Sequence, residues 1–200
     1  MRPPLITHPY DVAHDDTCKI IIANARWLVG LRADVPEDAA EIRRIYGVPP
    51  MGGQWVLAHI SGCALTAAGV LERSGAAVPW AGQPYVSGSA VSRLVAWAQS
   101  CQCWVPPGAD RAPSPSDVIV VTGGEHVCTM VDREDDTIIT VDGGQAYPGV
   151  ILECRRPWHL VGGRWHLGGR PVLGWVLRTS LPWGATVTEP GTVDTGCSER

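Results

Sequence analysis

The hydrophobic period of this chain changes once, close to Asp117, and this change limits the fold more than any other feature. Before Asp117, apolar residues recur at helical spacing, which is typical of amphipathic helices. After it, short runs rich in Val, Ile and Thr are separated by Gly, Asp or Pro, which is typical of strands joined by tight turns. Helices that precede strands, rather than alternating with them, predict an α+β domain with N-terminal helices packed on an antiparallel β-sheet.

Capping residues and loop formers set the expected helix boundaries in the first half. Asp16 or Thr17 can cap the first helix, and Ser61 can cap the third. Pro36 suits the first turn of the second helix. The predicted helices run from the first cap to about Val29, from Pro36 to near Gly47, from Cys63 to Gly75, and from about Ser89 to Gln99. A short helical or irregular segment is expected over Gln54–Ile60, after a loop rich in Pro and Gly.

The second half contains short β-type segments that predict an antiparallel meander of about five or six strands. The predicted strands are Val118–Val121, His126–Val131, Thr137–Val141, Val150–Glu153, Arg164–Leu167 and Pro171–Leu177. The near repeat of Trp158–Arg164 in Trp165–Arg170 is too short for a repeat architecture and fits a hairpin turn region. We expect one domain over residues 1–183 and a flexible polar tail over residues 184–200.

Composition agrees with one ordinary globular domain and indicates which partners to expect. Of the 200 residues, 45% are hydrophobic and 18% are charged, which is enough apolar material for a core. The net charge of −4 includes no basic run, so we expect no nucleic-acid partner. The amino terminus lacks a signal-peptide pattern, and the apolar stretch Ile20–Leu31 is too short to span a bilayer. We therefore expect a protein that is cytoplasmic as synthesised, with no membrane insertion.

Seven cysteines without regular spacing argue against a complete disulfide framework and leave at least one thiol unpaired. Cys101 and Cys103 resemble half of a metal site. No second Cys or His pair follows them at zinc-finger spacing, so no metal ion is predicted. For Cys18, Cys128 and Cys154 we expect the role of small buried apolar residues.

Cys63 differs from the other cysteines because it lies in the first turn of a predicted helix, directly after Ser61 and Gly62. Free backbone N–H groups and the helix dipole stabilise a thiolate there, and the thiolate is the nucleophilic form of cysteine. The same N–H groups can stabilise the oxyanion that forms when a carbonyl is attacked. These properties favour Cys63 as a nucleophile.

A histidine and an aspartate on two neighbouring predicted strands supply the other groups that a thiol nucleophile needs. His126 opens one strand after a Gly-Gly turn, where it can act as general base, and Asp142 closes the next. A hairpin turn centred on Glu134 would place His126 directly opposite Asp142, within reach of a hydrogen bond. We expect the Cys63 helix to pack on that face of the sheet. The same face would carry Cys128, Met130, Ile138 and Thr140.

Other interpretations of these residues stay open. Asp142 could be a turn former before two glycines. His59 lies one helical turn before Cys63 and could be an alternative base if the helix began earlier. His159 and His166 fit exposed or packed loop residues better than catalytic ones.

The order of the three residues resembles the papain superfamily, and most closely its bacterial NlpC-type and CHAP-type branch. The matching segments are Cys63-Ala64-Leu65 at a helix start, Ser116-Asp117-Val118 in a strand, His126-Val127 in the next strand, and Asp142 after it. The resemblance covers about residues 54–145. Gly62 and Ala64 stand where the NlpC branch usually has Asp and Ser, so the resemblance is weaker for the substrate than for the chemistry.

The resemblance implies a cysteine peptidase or amidase in which Cys63, His126 and Asp142 form a catalytic triad and no cofactor is needed. In such enzymes a glutamine upstream of the cysteine completes the oxyanion hole. The matching residue here is Gln54, and Ser61 or a backbone N–H is the alternative. The implied substrate is a peptide or amide bond of bacterial cell-wall peptidoglycan.

Peptidoglycan lies outside the cytoplasm, so this substrate implies a phage, toxin-type or other non-classical export route. Trp55, beside Gln54, would line the cleft of such an enzyme or belong to its core. Two other functions fit the same scaffold. One is an acyltransferase that passes the thioester to an amine or alcohol, and the other is a binding module without activity.

Overall fold

The computed structural model describes residues 14–32, 34–46, 62–78, 90–108, 111–122, 126–145 and 149–183. Helices precede strands along this part of the chain, which confirms the predicted α+β class. The helices are α1 (His14–Leu28), α2 (Ala39–Tyr46), α3 (Gly62–Arg73) and α4 (Ala90–Ser100). The strands are β1 (Trp104–Val105), β2 (Val118–Val121), β3 (His126–Glu134), β4 (Thr137–Gln145), β5 (Val150–Val161), β6 (Arg164–Leu167) and β7 (Arg170–Val176).

Glycines and a proline mark the helix boundaries. α1 ends before Gly30 and α3 before Gly75, and both glycines adopt a left-handed backbone, with φ of 82° and 93°. Glycine takes this conformation at little cost, so the helices stop there. Pro36 opens a short 3-10 turn that leads into α2. None of the helices in the described ranges is long and apolar enough to cross a bilayer.

Two parts of the predicted organisation cannot be followed in the structure. The expected segment Gln54–Ile60 lies outside the described residues, and so do residues 184–200, the predicted tail. The domain boundary near residue 183 therefore stays a prediction.

The strands form one antiparallel sheet that closes on itself. The strand order is β1-β7-β2-β3-β4-β5-β6, and β6 also pairs with β7, so the last six strands form a barrel. β1 adds a seventh strand, in which Trp104 pairs with Val176 and Val105 with Trp175. The sequence predicted neither β1 nor the closure. Closure pairs the outer strands with each other instead of leaving both edges to solvent.

The near repeat forms two tight hairpin turns, as predicted. β5 and β6 turn at Gly162–Gly163, and β6 and β7 turn at Gly168–Gly169. All of these glycines have positive φ, which tight hairpin turns require. The repeated Gly-Gly pairs thus allow the chain to reverse twice within a few residues.

The hairpin of β3 and β4 has a different register from the predicted one. The turn lies at Asp135–Asp136 rather than at Glu134. Near the open end of the hairpin, each residue of β3 pairs two positions further along β4 than predicted. The prediction that His126 lies directly opposite Asp142 is therefore wrong. An even displacement keeps both side chains on the same face, and Asp142 becomes a diagonal neighbour of His126.

A β-bulge decides which face of the sheet Asp142 occupies. The register of β3 against β4 shifts by one residue at Val131. Without that extra residue, the register found near the turn would continue to the open end of the hairpin. Asp142 would then pair with Thr129, on the face away from His126. The bulge therefore brings the histidine and the aspartate to one side of the sheet.

The two faces of the sheet belong to two different apolar clusters. The cluster under the helices includes Cys63, Val127 and Val141. The cluster inside the barrel includes Cys128 and Ile138. The expectation that α3 packs on the face of Cys128 is therefore wrong. Both faces of β3 are apolar over most of its length, so alternation alone could not identify the face that the helices cover.

Candidate active site

Helix α3 carries Cys63 in its first turn and is buried almost from end to end. Its small residues allow close packing against α2, because a Cβ on Gly69 would lie 3.2 Å from Ile45 Cγ2. At the other end, the Arg73 guanidinium lies over the ring of Trp27 in α1, 5.4 Å from the ring centroid. Contacts along its length therefore hold the helix, and with it the first turn, in place.

Gly143 brings strand β4 against that first turn. A Cβ on Gly143 would lie 1.8 Å from Thr66 Oγ1 and 2.7 Å from the carbonyl oxygen of Gly62. Thr66 Oγ1 donates to the same Gly62 oxygen at 2.8 Å, so the atoms that such a Cβ would meet belong to the first turn of α3 itself. Only a glycine permits this approach, which places Asp142 beside the turn that carries Cys63.

His126 is the first residue of β3, and its side chain is 14% exposed. Its Nε2–H donates a hydrogen bond to Asp142 Oδ2. An interaction with the Cys63 side chain also raises the pKa of this imidazole. Because the carboxylate occupies Nε2, Nδ1 is the ring nitrogen that remains available to exchange a proton with Cys63. Three residues from separate elements thus form one continuous chain of contacts.

The surroundings of His126 favour its protonated form. Burial alone lowers the pKa of the imidazole, but hydrogen bonds and charges from Asp142 and Cys63 outweigh burial and raise the pKa to about 9. At neutral pH, His126 is therefore an imidazolium. An imidazolium beside a cysteine at a helix N-terminus is the environment in which a thiolate persists.

The Asp142 side chain is fully buried, and both of its oxygens are hydrogen-bonded. Oδ1 accepts from Thr140 Oγ1 at 2.5 Å and from Arg156 Nη1 at 2.9 Å. Oδ2 lies 2.8 Å from Arg156 Nη2 and also accepts from His126. Burial raises the pKa of this carboxyl group, but His126, Arg156 and Thr140 together hold it below its ordinary value. Asp142 is therefore an ionised acceptor with a fixed orientation.

Arg156 and Thr140 are the site neighbours to which sequence reasoning assigned no role. Thr140 was predicted to share a face of the sheet with His126 and Asp142, but it was given no function. The predicted fourth strand ended at Glu153, before Arg156. The signal was present, because Arg156 alternates with Cys154 and Trp158, whose side chains are partly or fully buried. An arginine in such an inward-facing row indicates a buried acidic partner.

The residues predicted around the oxyanion hole and cleft are Gln54, Trp55 and Ser61, and all of them lie outside the described residues. The alternative base His59 also lies outside them. Their roles stay predictions. The first turn of α3 is the part of the predicted oxyanion site that the structure describes.

The cysteines expected to be structural differ in burial. Cys128 is buried, as predicted, and burial together with the charge of Asp142 raises its pKa well above the ordinary value for a thiol. Cys18 and Cys154 are only partly buried, which corrects the expectation for both. Cys18 Sγ donates to a backbone carbonyl 3.4 Å away.

Cys101 and Cys103 lie just after α4, and both are unpaired. Cys103 donates to the carbonyl oxygen of Ala98 at 3.4 Å, and burial and the neighbouring Cys101 raise its pKa to about 12. Across the described ranges, no group of three or more His, Cys, Asp or Glu side chains is arranged to hold a metal ion. Cys103 is thus a protonated, hydrogen-bonded core residue.

The structure places His159 in β5, where a loop was expected, and His166 in β6, which matches the predicted strand Arg164–Leu167. They pair directly across β5 and β6, with ring centroids 5.7 Å apart. The flanking Trp158 and Trp165 stack in the same hairpin at 4.7 Å. These four side chains therefore belong to the packing of one hairpin.

Comparison of the chain with protein-family models, curated proteins and solved structures finds no match.

Proposed function

We propose that this protein is a papain-like cysteine hydrolase, a peptidase or amidase with Cys63 as nucleophile, His126 as general base and acid, and Asp142 as the orienting residue. The observation that carries the proposal is the chain of contacts from Cys63 through His126 to the buried carboxylate of Asp142. A nucleophile, a base and a group that orients the base are the parts that covalent catalysis needs.

In the first half-reaction, the Cys63 thiolate attacks the carbonyl carbon of a peptide or amide, and a carbon–sulfur bond forms. The tetrahedral intermediate collapses when His126 gives its Nδ1 proton to the leaving nitrogen, which departs as an amine. This step leaves a thioester on Cys63 and a neutral imidazole.

In the second half-reaction, neutral His126 takes a proton from water, and the water oxygen attacks the thioester carbon. The carbon–sulfur bond breaks, the acid product leaves, and the thiolate and imidazolium are restored. Asp142 stays ionised throughout and holds Nε2–H, so Nδ1 keeps facing the sulfur. The cycle consumes water and requires no cofactor.

Backbone N–H groups at the start of α3 are suited to stabilise the oxyanion, with Gln54 or Ser61 as predicted contributors. The proposed substrate is a peptide or amide bond of bacterial cell-wall peptidoglycan. This part rests on the resemblance of Cys63-Ala64-Leu65 and His126-Val127 to NlpC-type and CHAP-type hydrolases. With this substrate we also propose a phage, toxin-type or other non-classical export route.

Alkylation of the native protein with iodoacetamide at a series of pH values, read by mass spectrometry of each cysteine peptide, tests the activated thiolate. At pH 6 we expect Cys63 to react at least about tenfold faster than Cys18 and Cys101, which are also unpaired and less buried. The variant His126→Ala should lose this advantage. Equal rates at the three cysteines would reject the proposal and favour an inactive binding module.

Turnover is measured as new amines released from soluble peptidoglycan fragments. Cys63→Ala should abolish release, whereas Cys101→Ala, a matched loss of a thiol outside the site, should retain it. Release that depends on an added amine or alcohol acceptor would indicate an acyltransferase. Fast alkylation of Cys63 without turnover would reject peptidoglycan as the substrate while leaving the hydrolase class in place.

A further inference from the structure

Arg156 approaches the candidate active site from β5 and holds the carboxylate of Asp142 with both of its terminal nitrogens. The distances are 2.9 Å for Nη1–Oδ1 and 2.8 Å for Nη2–Oδ2. Thr140 Oγ1 joins the contact, because it accepts from Arg156 Nη1 at 2.5 Å and donates to Asp142 Oδ1. A forked contact of this kind fixes the plane of the carboxylate.

The Arg156 side chain is built into the barrel rather than lying free on its surface. It is 21% exposed, and its stem lies against Gly168, where a Cβ would come within 3.3 Å of Arg156 Cδ. The adjacent Arg155 is exposed instead and donates to Glu134 Oε1 at 3.2 Å. Two neighbouring arginines therefore face opposite sides of the same strand.

The ionisable groups around Asp142 come from two strands and one helix. They are His126 and Cys128 from β3, Cys154 and Arg156 from β5, and Cys63 from α3. Burial raises the pKa of Cys128 and that of Cys154, so both thiols are protonated near neutral pH. In the proposed thiolate–imidazolium form of the site, the charges of Cys63, His126, Asp142 and Arg156 cancel.

We propose that Arg156 is a positioning residue that balances the buried charge of Asp142, so that the Cys63 thiolate and the His126 imidazolium can form together. This inference rests on the proposed role of Cys63 as nucleophile. Without Arg156, the site with a Cys63 thiolate would carry a net negative charge, and low dielectric disfavours a buried charge that is not balanced. Loss of the guanidinium therefore moves thiolate formation to higher pH.

The test is the pH dependence of Cys63 alkylation in Arg156→Gln, with Arg155→Gln as the matched control. Both variants lose one positive charge from adjacent positions of β5, but only Arg156 faces Asp142. The acidic limb of each profile is the pH range over which the alkylation rate of Cys63 rises as its thiolate forms. In Arg156→Gln we expect this limb to lie about one pH unit or more higher than in the wild type. The Arg155→Gln profile should coincide with that of the wild type.

Coincidence of the Arg156→Gln and wild-type profiles would overturn the inference about Arg156. Fast alkylation of Cys63 in both proteins would then leave the proposed function intact. Slow alkylation of Cys63 in the wild type would instead reject the proposed function, so the two failures are distinguishable.

A charge-compensated variant keeps the test decisive if thermal melts show that Arg156→Gln does not fold. In Asp142→Asn/Arg156→Gln, the carboxylate and the guanidinium are both removed, so neither remains as an unpaired buried charge. We expect the acidic limb of this double variant at higher pH than that of Asp142→Asn alone, because only the single variant Asp142→Asn keeps the guanidinium. Identical limbs for the single and double variants would overturn the proposal.

Discussion

His126 and Arg156 both contact the same carboxylate oxygen, Oδ2 of Asp142. A buried carboxylate with cationic donors on both sides keeps its charge and a single orientation. The histidine is therefore held through Nε2, which leaves its other nitrogen available to Cys63. Because all these groups share one carboxylate, the protonation of His126, the stability of the fold and the reactivity of the thiol are coupled.

The stability of the protein should fall as pH rises through the range in which His126 loses its proton. The pKa of His126 is raised from 6.5 to about 9, so its stabilisation is fully present below pH 6.5 and is lost as pH approaches 9. The loss amounts to about 3 kcal/mol at most. It is measured as the free energy of urea unfolding at pH 6 and pH 9, in wild type and in His126→Gln.

The control for this prediction is His159→Gln, which removes an exposed imidazole from β5. Wild type and His159→Gln should lose stability in parallel over this range, and His126→Gln should lose less. If His126→Gln has the same pH dependence as the wild type, His126 is not held as an imidazolium by Asp142 and Cys63.

Thr140→Val should destabilise the fold through the hydrogen bonds of Asp142. The substitution keeps the volume of Thr140 but removes the hydroxyl that donates to Asp142 Oδ1 and accepts from Arg156. Two buried polar groups lose a partner, so we expect a loss of about 1–3 kcal/mol in the free energy of unfolding. Chemical denaturation at pH 7 measures it.

Thr140→Ser is the matched variant, because it keeps the hydroxyl and loses the methyl group. It should cost no more than about 1 kcal/mol. A larger loss for serine than for valine would mean that Thr140 matters through packing, and that its hydroxyl contributes little to the position of Asp142.

Gly143→Ala should displace the start of α3 and reduce the reactivity of Cys63. The new Cβ would lie 1.8 Å from Thr66 Oγ1 and 2.7 Å from the Gly62 carbonyl oxygen, so the helix turn and β4 must move apart. We expect a loss of stability of about 2–3 kcal/mol and slower alkylation of Cys63 at pH 6. Both are measured on the same purified variant.

Gly108→Ala supplies the comparison, since a Cβ on Gly108 would meet no atom within 4 Å. It should change neither stability nor alkylation. If Cys63 in Gly143→Ala were alkylated at the same rate as in the wild type, the close approach of β4 would not be needed to position the thiol.

Much of the candidate site follows from local sequence. Cys63 lies in the first turn of a helix, His126 opens one strand, and Asp142 lies in the next, as the sequence predicted. Capping residues, glycines and hydrophobic period act over a few neighbouring residues, so they can be recognised without tertiary structure. The contact between His126 and Asp142 was expected for the same reason, although the register behind that expectation was wrong.

The sequence by itself determined the α+β class, the order of helices and strands, and the elements that carry the three site residues. Only the tertiary structure decided the bulge at Val131, the closure of the barrel, the face on which α3 packs, and the forked contact of Arg156 with Asp142. The physical reason is that helix and strand preferences act between near neighbours. Register, closure and buried charge pairs depend on contacts between separate segments, whose energies are settled when those segments pack together.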